Sequence, residues 1–367
     1  INVLLFFIIS NSYILKSFIS SLKNIIQIKK IEFYSNYCTY IKFKKIKRFN
    51  ELKVSIISPV YNREKFILRF IKSVQHQSIH DLEILFVDDN SSDNSVKMIK
   101  KYMKKDKRII LIKNKKNKGT FKSRNIGVLY SKGKYIIMPD PDDIISNNIL
   151  YVCYNYAERY QYDFIRFNTY LGNGNMNYNK FAKNHEDRPI YQPELSTYIY
   201  YGNKDIKIID CYITNKFIKK KVYIKALNSL NNFYLNLYMT YLEDSIMNYI
   251  IYRVAKSFYY INLIGYRYFK NSASITTKLF IISDIKLKFI FYYLKFIFEN
   301  SKNTKYEKDM ANHLFTYLYK GHSIHKQLSL LNLNQKDFSF YDNILNMFIN
   351  CSFISEYRSE ERRVGKE

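Results

Sequence analysis

Between Lys53 and Asp143 short, continuously apolar runs alternate with segments whose apolar residues recur at helical spacing, and this alternation limits the fold more than any other feature. The runs are KVSIISPV (53–60), Leu82 to Val87, Ile109 to Ile112 and Tyr135 to Met138. The first is ended by Pro59 and followed by Tyr61-Asn62, where Asn62 predicts a helix cap. The helix after it carries Phe66, Ile67, Phe70, Ile71 and Val74 on one face. A second helix is predicted from about Ser92, with Val96, Ile99, Tyr102 and Met103 inward. Gly119 breaks the chain, and a third helix, about Phe121 to Ser131, leads through Gly133 into the fourth run. Strands apolar throughout are buried on both faces, so the pattern predicts an α/β fold: a doubly wound, mostly parallel sheet flanked by helices, with right-handed crossovers. Ligands of such sheets bind beyond the carboxyl ends of the strands. The unusual polar clusters fall at those ends: Tyr61-Asn62, Asp88-Asp89 and Asp140-Pro141-Asp142-Asp143. They are expected to share one crevice.

A chain of 367 residues accommodates one large domain and an accessory region. With 47% apolar residues and no long polar tract, it has the composition of a folded protein. The net charge of +28 raises the question of nucleic acid, but the lysines are scattered through every segment and no recognition motif accompanies them. No nucleic acid is therefore expected; a nucleotide diphosphate or an anionic lipid surface suits the same charge. Cys38, Cys153, Cys211 and Cys351 lie far apart, which suggests neither a zinc site nor a disulfide framework.

Four regions are expected. Residues 1–50 form an amphipathic, basic extension: Val3 to Ile9 is too short to span a bilayer, and Leu15, Phe18, Ile19, Leu22, Ile25 and Ile26 make an apolar stripe among lysines. Such a helix suits either peripheral membrane contact or packing on its own domain. Residues 51–278 hold the alternating α/β domain and 279–356 a helical C-terminal region. Residues 357–367, ending in RSEERRVGKE, differ abruptly in composition and read as a non-native tail. The start at Ile1, without Met, leaves a signal peptide open.

Three carboxylates within four positions repel one another unless a cation is near. In an extended backbone Asp140 and Asp142 would project to one side, and hard oxygen ligands suit Mg²⁺ or Mn²⁺. Such ions take few carboxylates and complete their shell with water and phosphate oxygens, which points to a nucleotide diphosphate. The competing reading is a solvated, Asp-rich turn. There is no Gly-x-x-x-x-Gly-Lys-Ser/Thr loop and no Gly-x-Gly-x-x-Gly after the first strand, which argues against P-loop and dinucleotide-binding enzymes. Asp88-Asp89 alone would also suit a phospho-receiver, but the fourth strand ends in the Asp cluster instead of the lysine that reading needs.

The segments VSIISPVYN, DLEILFVDDNSSDNS, NKGTFKSRNIGVLYSKGKYIIMPDPDD and, later, YLEDSIMN and YRYFKNSASIT resemble the ordered motifs of family 2 glycosyltransferases of the GT-A fold. The resemblance spans about Leu52 to Thr277. It implies inverting transfer of a sugar from a nucleotide-diphosphate donor, a UDP-sugar by preference, to a glycan or lipid-linked acceptor. It further implies that Pro59 and Tyr61 line the base pocket and that Asp89, beside Asp88, hydrogen-bonds the base. Arg124 would lie near the diphosphate, Asp142 would be the principal metal ligand, and Asp140 would sit by the ribose and metal, with Asp143 less certain. Pro141 departs from the small residue usual there and stiffens the turn. Glu243-Asp244 resembles the family's acidic pair, whose Asp serves as general base; an Asp in a helix's first turn also simply favours the helix dipole. Lys216 would face acceptor or donor phosphate, or be one solvated lysine among many. Gly172 to Pro189 reads as a polar acceptor loop. The resemblance implies work on surface polysaccharide or lipopolysaccharide, in the cytoplasm at the inner face of the plasma membrane. The alternative is a non-catalytic nucleotide- or glycan-binding protein on the same fold.

Overall fold

The computed structural model describes residues 38–41, 52–171, 188–195, 212–269 and 296. The chain divides into two compact units, Ile1–Ser274 and Ile275–Glu367. The basic helix expected before residue 31, the tail and, apart from residue 296, the helical region 279–356 lie outside the described residues, as does most of the 172–189 loop.

The apolar runs form β2 (Val54–Val60), β3 (Leu82–Asp88), β4 (Ile109–Asn114) and β5 (Tyr135–Ile137). They lie in parallel in the order β4-β3-β2-β5. β2 and β3 are buried along their whole length, as strands covered on both faces must be. Pro59 does not end β2, which continues to Val60. β5 pairs with β2 only as far as Ile56, so Pro59 has a paired neighbour on one side alone, where a missing N–H is tolerated.

The crossover helices are α1 (Glu64–Gln75), α2 (Ser95–Met103) and α3 (Thr120–Tyr130). α1 buries Ile67, Phe70, Ile71 and Val74, the expected face less Phe66. Phe70 meets Phe86 of β3 edge-on, ring centres 5.9 Å apart, and truncating it to alanine would cost about 3–5 kcal/mol. α3 lies directly on the sheet because residue 127 is glycine: a Cβ there would stand 2.2 Å from Ile57 Cγ2.

The expected cap of α1 is not formed as read. Asn62 has a positive φ of 51° and its side chain accepts from Ser92 N instead. The first N–H groups of α1 are met from the next crossover: Arg63 N donates to Ser95 Oγ (2.8 Å) and Glu64 N to Asp93 Oδ2 (2.9 Å). Glu64 reciprocates by accepting from Asn94 N, and α2 starts at Ser95, later than the expected Ser92.

The remaining elements are β6 (Ile144–Ile145), α4 (Ile149–Tyr160), β7 (Phe164–Leu171), β8 (Ile190–Tyr191), β9 (Lys216–Lys219), α5 (Lys220–Ser229), α6 (Asn232–Asn236), α7 (Glu243–Val254) and β10 (Ser257–Tyr268). They extend the parallel core into a ten-stranded mixed sheet. β9 runs antiparallel between β5 and β7, β10 is parallel to β7, and β6 closes that edge. The opposite edge is a strand from the N-terminal extension, β1 (Cys38–Ile41), antiparallel to β4. No described helix is long and apolar enough to cross a membrane.

Candidate active site

The carboxyl ends of β2, β3 and β5 meet as the alternation predicts. Asp89 N donates to Val60 O (2.7 Å) and Asn62 N to Ser91 Oγ (3.0 Å), which laces the loops after β2 and β3 together. Beyond β5 the chain turns, with Asp143 N reaching back to Asp140 O at 3.3 Å. This turn corrects the extended geometry expected for the Asp cluster, and it sends the three side chains to different partners.

Asp140 Oδ1 accepts from Arg124 Nη2 at 2.7 Å, and its side chain remains 36% exposed. Asp142 is 17% exposed, with Arg63 Nε 3.9 Å from its Oδ2 and its carbonyl bound by Arg69. Asp143 turns inward, where it accepts from Tyr266 Oη and from Phe269 N (2.9 Å) and so ties β10 to the turn. Burial, then Asp140 and Asp142, push the Asp143 carboxyl up to about 8.

Arg124, from the first half of α3, is the hub of the site. Its side chain is only 4% exposed, and besides Asp140 it binds Glu243 Oε1 (3.1 Å) and Asp244 Oδ1, both from the first turn of α7. Burial alone would lower its pKa; Asp244, Asp140 and Glu243 outweigh that and hold it well above the ordinary value. Glu243 and Asp244 are both pushed up, first by burial, with Arg124 opposing. The guanidinium thus faces a surplus of carboxylates, the expected base Asp244 among them. Leu242, at φ 62°, turns the chain sharply into the acidic pair.

Asp89 also has partners within the fold. Oδ1 accepts from Lys118 N and Asn114 Nδ2 and Oδ2 from Gly119 N, each at 2.8 Å. The carboxylate expected to meet a base therefore holds the loop that opens α3. Asp88, fully buried, accepts from Ser91 N (3.1 Å). Gly119 (φ 84°) packs against the chain just before α7: a Cβ would lie 2.7 Å from Met239 O, which also accepts from Phe121 N. Tyr238 in that segment was not singled out by sequence. Its phenol is raised by burial, then by the electrostatic influence of Asp89 and Tyr61. Tyr61 and Tyr238 are 47% and 49% exposed, while Pro59 is buried in β2. Lys216 is fully buried on β9, donates to Tyr212 O and acts electrostatically on Asp244, which overturns the solvated-lysine alternative.

Sequence reasoning also missed Arg63, Arg69 and Tyr266. The arginines follow Asn62 at positions a helix would present near the sheet edge, and Tyr266 lies within the quoted YRYFK segment; their pairing with the distant turn left no mark in the pattern.

Among the described residues, no group of three or more His, Cys, Asp or Glu side chains could hold a metal by itself. An ion that asks for one or two carboxylates and takes its other ligands from diphosphate and water fits Asp140 and Asp142. Both carboxylates have exposed surface.

The profile described as Glycosyl transferase family 2 matches residues 55–227. Glycosyltransferase GlyG of Streptococcus pneumoniae is 29% identical over 117 residues, 32% of this chain and 39% of that protein. The poly(ribitol-phosphate) beta-glucosyltransferase of Bacillus spizizenii is 36% identical over 115 residues, 30% of this chain and 18% of that protein. The matches thus span well under half of these curated relatives. The crystal structure of S. aureus TarS 1-349 in complex with UDP-GlcNAc superposes with a TM-score of 0.56 and 18% identity, covering 81% of this chain and 80% of that one. That likeness is one of fold. Residues 55–227 are thus a family 2 glycosyltransferase domain, with the GT-A fold.

Proposed function

We propose that the protein is an inverting glycosyltransferase that moves a sugar from a nucleoside-diphosphate donor, UDP-linked by preference, to a hydroxyl of a glycan or lipid-linked acceptor. The observation that carries this reading is Arg124 bridging Asp140, at the end of a core strand, to Asp244, at the start of α7. Donor-side and acceptor-side carboxylates are thereby held in one frame. Asp244 takes the proton of the acceptor hydroxyl as its oxygen bonds to the anomeric carbon, and the bond from that carbon to the diphosphate breaks on the opposite face. A pKa raised by burial brings this carboxylate nearer to neutrality, which suits a general base. Arg124 fixes its direction, and Lys216 adds positive charge nearby. Tyr61 and Tyr238, both exposed, offer rings on which a base would stack. Asp140 and Asp142 would hold a Mg²⁺ or Mn²⁺ ion, which when bound stabilises negative charge on the leaving diphosphate.

The named activities of the relatives, and the UDP-sugar bound to TarS, support placing this protein in surface polysaccharide or lipopolysaccharide synthesis. The net charge of +28 supports peripheral work at the anionic inner face of the plasma membrane. Nucleotide release from a panel of UDP-sugars with Mn²⁺ tests the reading. Asp142→Ala is expected to abolish both turnover and metal-dependent nucleotide binding; full activity in that variant would refute the metal assignment.

A further inference from the structure

α1 forms one wall of a cavity of about 540 Å³ that lies beside the Asp140–Asp143 turn. That wall presents Lys65, Arg69, Lys72 and His76, at intervals of four, three and four residues, so the four stand in a row on one helix face. At 1.5 Å rise per residue the row is ~16 Å long. Ile144 and Asn147, which follow the Asp cluster, form part of the opposite wall. No acidic side chain lines the cavity. Lys65 and Lys72 are exposed, and among the described residues neither has a carboxylate partner.

Arg69 joins this row to the active site. It donates to the backbone carbonyl of Asp142 and stacks on Phe269 with 3.6 Å between guanidinium carbon and ring centre. Its Nε is buried with no hydrogen-bond partner. A buried N–H without an acceptor is costly, and an anion in the cavity would supply one.

We propose that this groove binds phosphate groups carried by the acceptor and leads the acceptor toward Asp142. The proposal rests on the glycosyl-transfer reading. A row of separate cations suits a chain bearing repeated phosphates better than one compact anion, and guanidinium and ammonium groups both bind phosphate oxygens strongly. The donor's diphosphate has its own place at the carboxyl ends of the strands, whereas the row runs away from there along α1.

The test compares Lys65→Glu/Lys72→Glu with Lys97→Glu/Lys101→Glu, the same charge change on two exposed lysines of α2. Binding is measured to linear sodium polyphosphate, to phosphatidylcholine vesicles with and without phosphatidylglycerol, and to UDP with Mn²⁺; melting curves confirm that both variants fold. The α1 variant is expected to bind polyphosphate at least about tenfold more weakly, the α2 variant within about twofold of the parent, as a local site and not overall charge requires. Both should keep UDP binding. Equal losses in the two variants, or none in the first, would overturn the groove. Loss confined to phosphatidylglycerol vesicles would overturn it in favour of a membrane surface. Absence of UDP binding in the parent would refute the donor site while the polyphosphate comparison still reported on the groove.

Discussion

Arg124 and Asp244 form an ion pair in which the arginine side chain is 4% exposed and the aspartate 22%, and the pair ties a helix lying on the sheet to the first turn of α7. Removing one partner of a buried pair leaves the other uncompensated, which costs about 3–5 kcal/mol. Arg124→Met is therefore expected to lose stability of that order in urea unfolding. Arg124→Lys keeps the charge but not the planar fork that reaches Asp140, Glu243 and Asp244 together. It is expected to fold, to lower kcat far more than it changes the donor KM, and to shift the pH profile. An unchanged profile and kcat would leave Arg124 a structural residue only.

Gly119 is needed twice over, for its φ of 84° and for the Met239 carbonyl that a Cβ would meet at 2.7 Å. Alanine at a position with positive φ destabilises by more than about 1 kcal/mol. Because Asp89 holds the N–H groups of Lys118 and Gly119, Gly119→Ala should also raise the KM for donor. Thermal unfolding and donor titration check both effects; a variant matching the parent in each would show that the loop yields freely.

The buried Asp143 makes the metal-free fold sensitive to pH. Its carboxyl is raised from 3.8 to about 8, so across that interval the folded state keeps a proton that the unfolded state has released. Unfolding free energy then falls as pH rises through the interval; the stabilisation is complete below pH 3.8 and gone above about 8. Denaturant midpoints measured without divalent metal should decline accordingly, and Asp143→Asn should flatten the decline. An unaltered slope in that variant would place the titration elsewhere.

The parallel core was legible because burial on both faces leaves continuous apolar runs, and the site because Asp140 to Asp143 and Glu243-Asp244 stand in order at element ends. Other features were not legible, for physical reasons. The capping of α1 by Asp93 and Ser95 is a tertiary bond between two crossovers, invisible to a rule that looks only at the preceding Asn62. The bonds from Lys118 N and Gly119 N to Asp89 were hidden because sequence does not show which N–H groups surround a carboxylate. The antiparallel part of the sheet, short β6 and β9 above all, offered too few residues for periodicity to register. Lys216 resembled its many solvated neighbours, and only burial sets it apart.

Proton removal by Asp244 is the central claim, and Asp244→Asn tests it most directly, since the amide keeps the size of the side chain and loses the basicity. With UDP-sugar donor and Mn²⁺, turnover should fall at least about 10²-fold while UDP affinity is retained. Turnover close to that of the parent would contradict the account and place the base elsewhere.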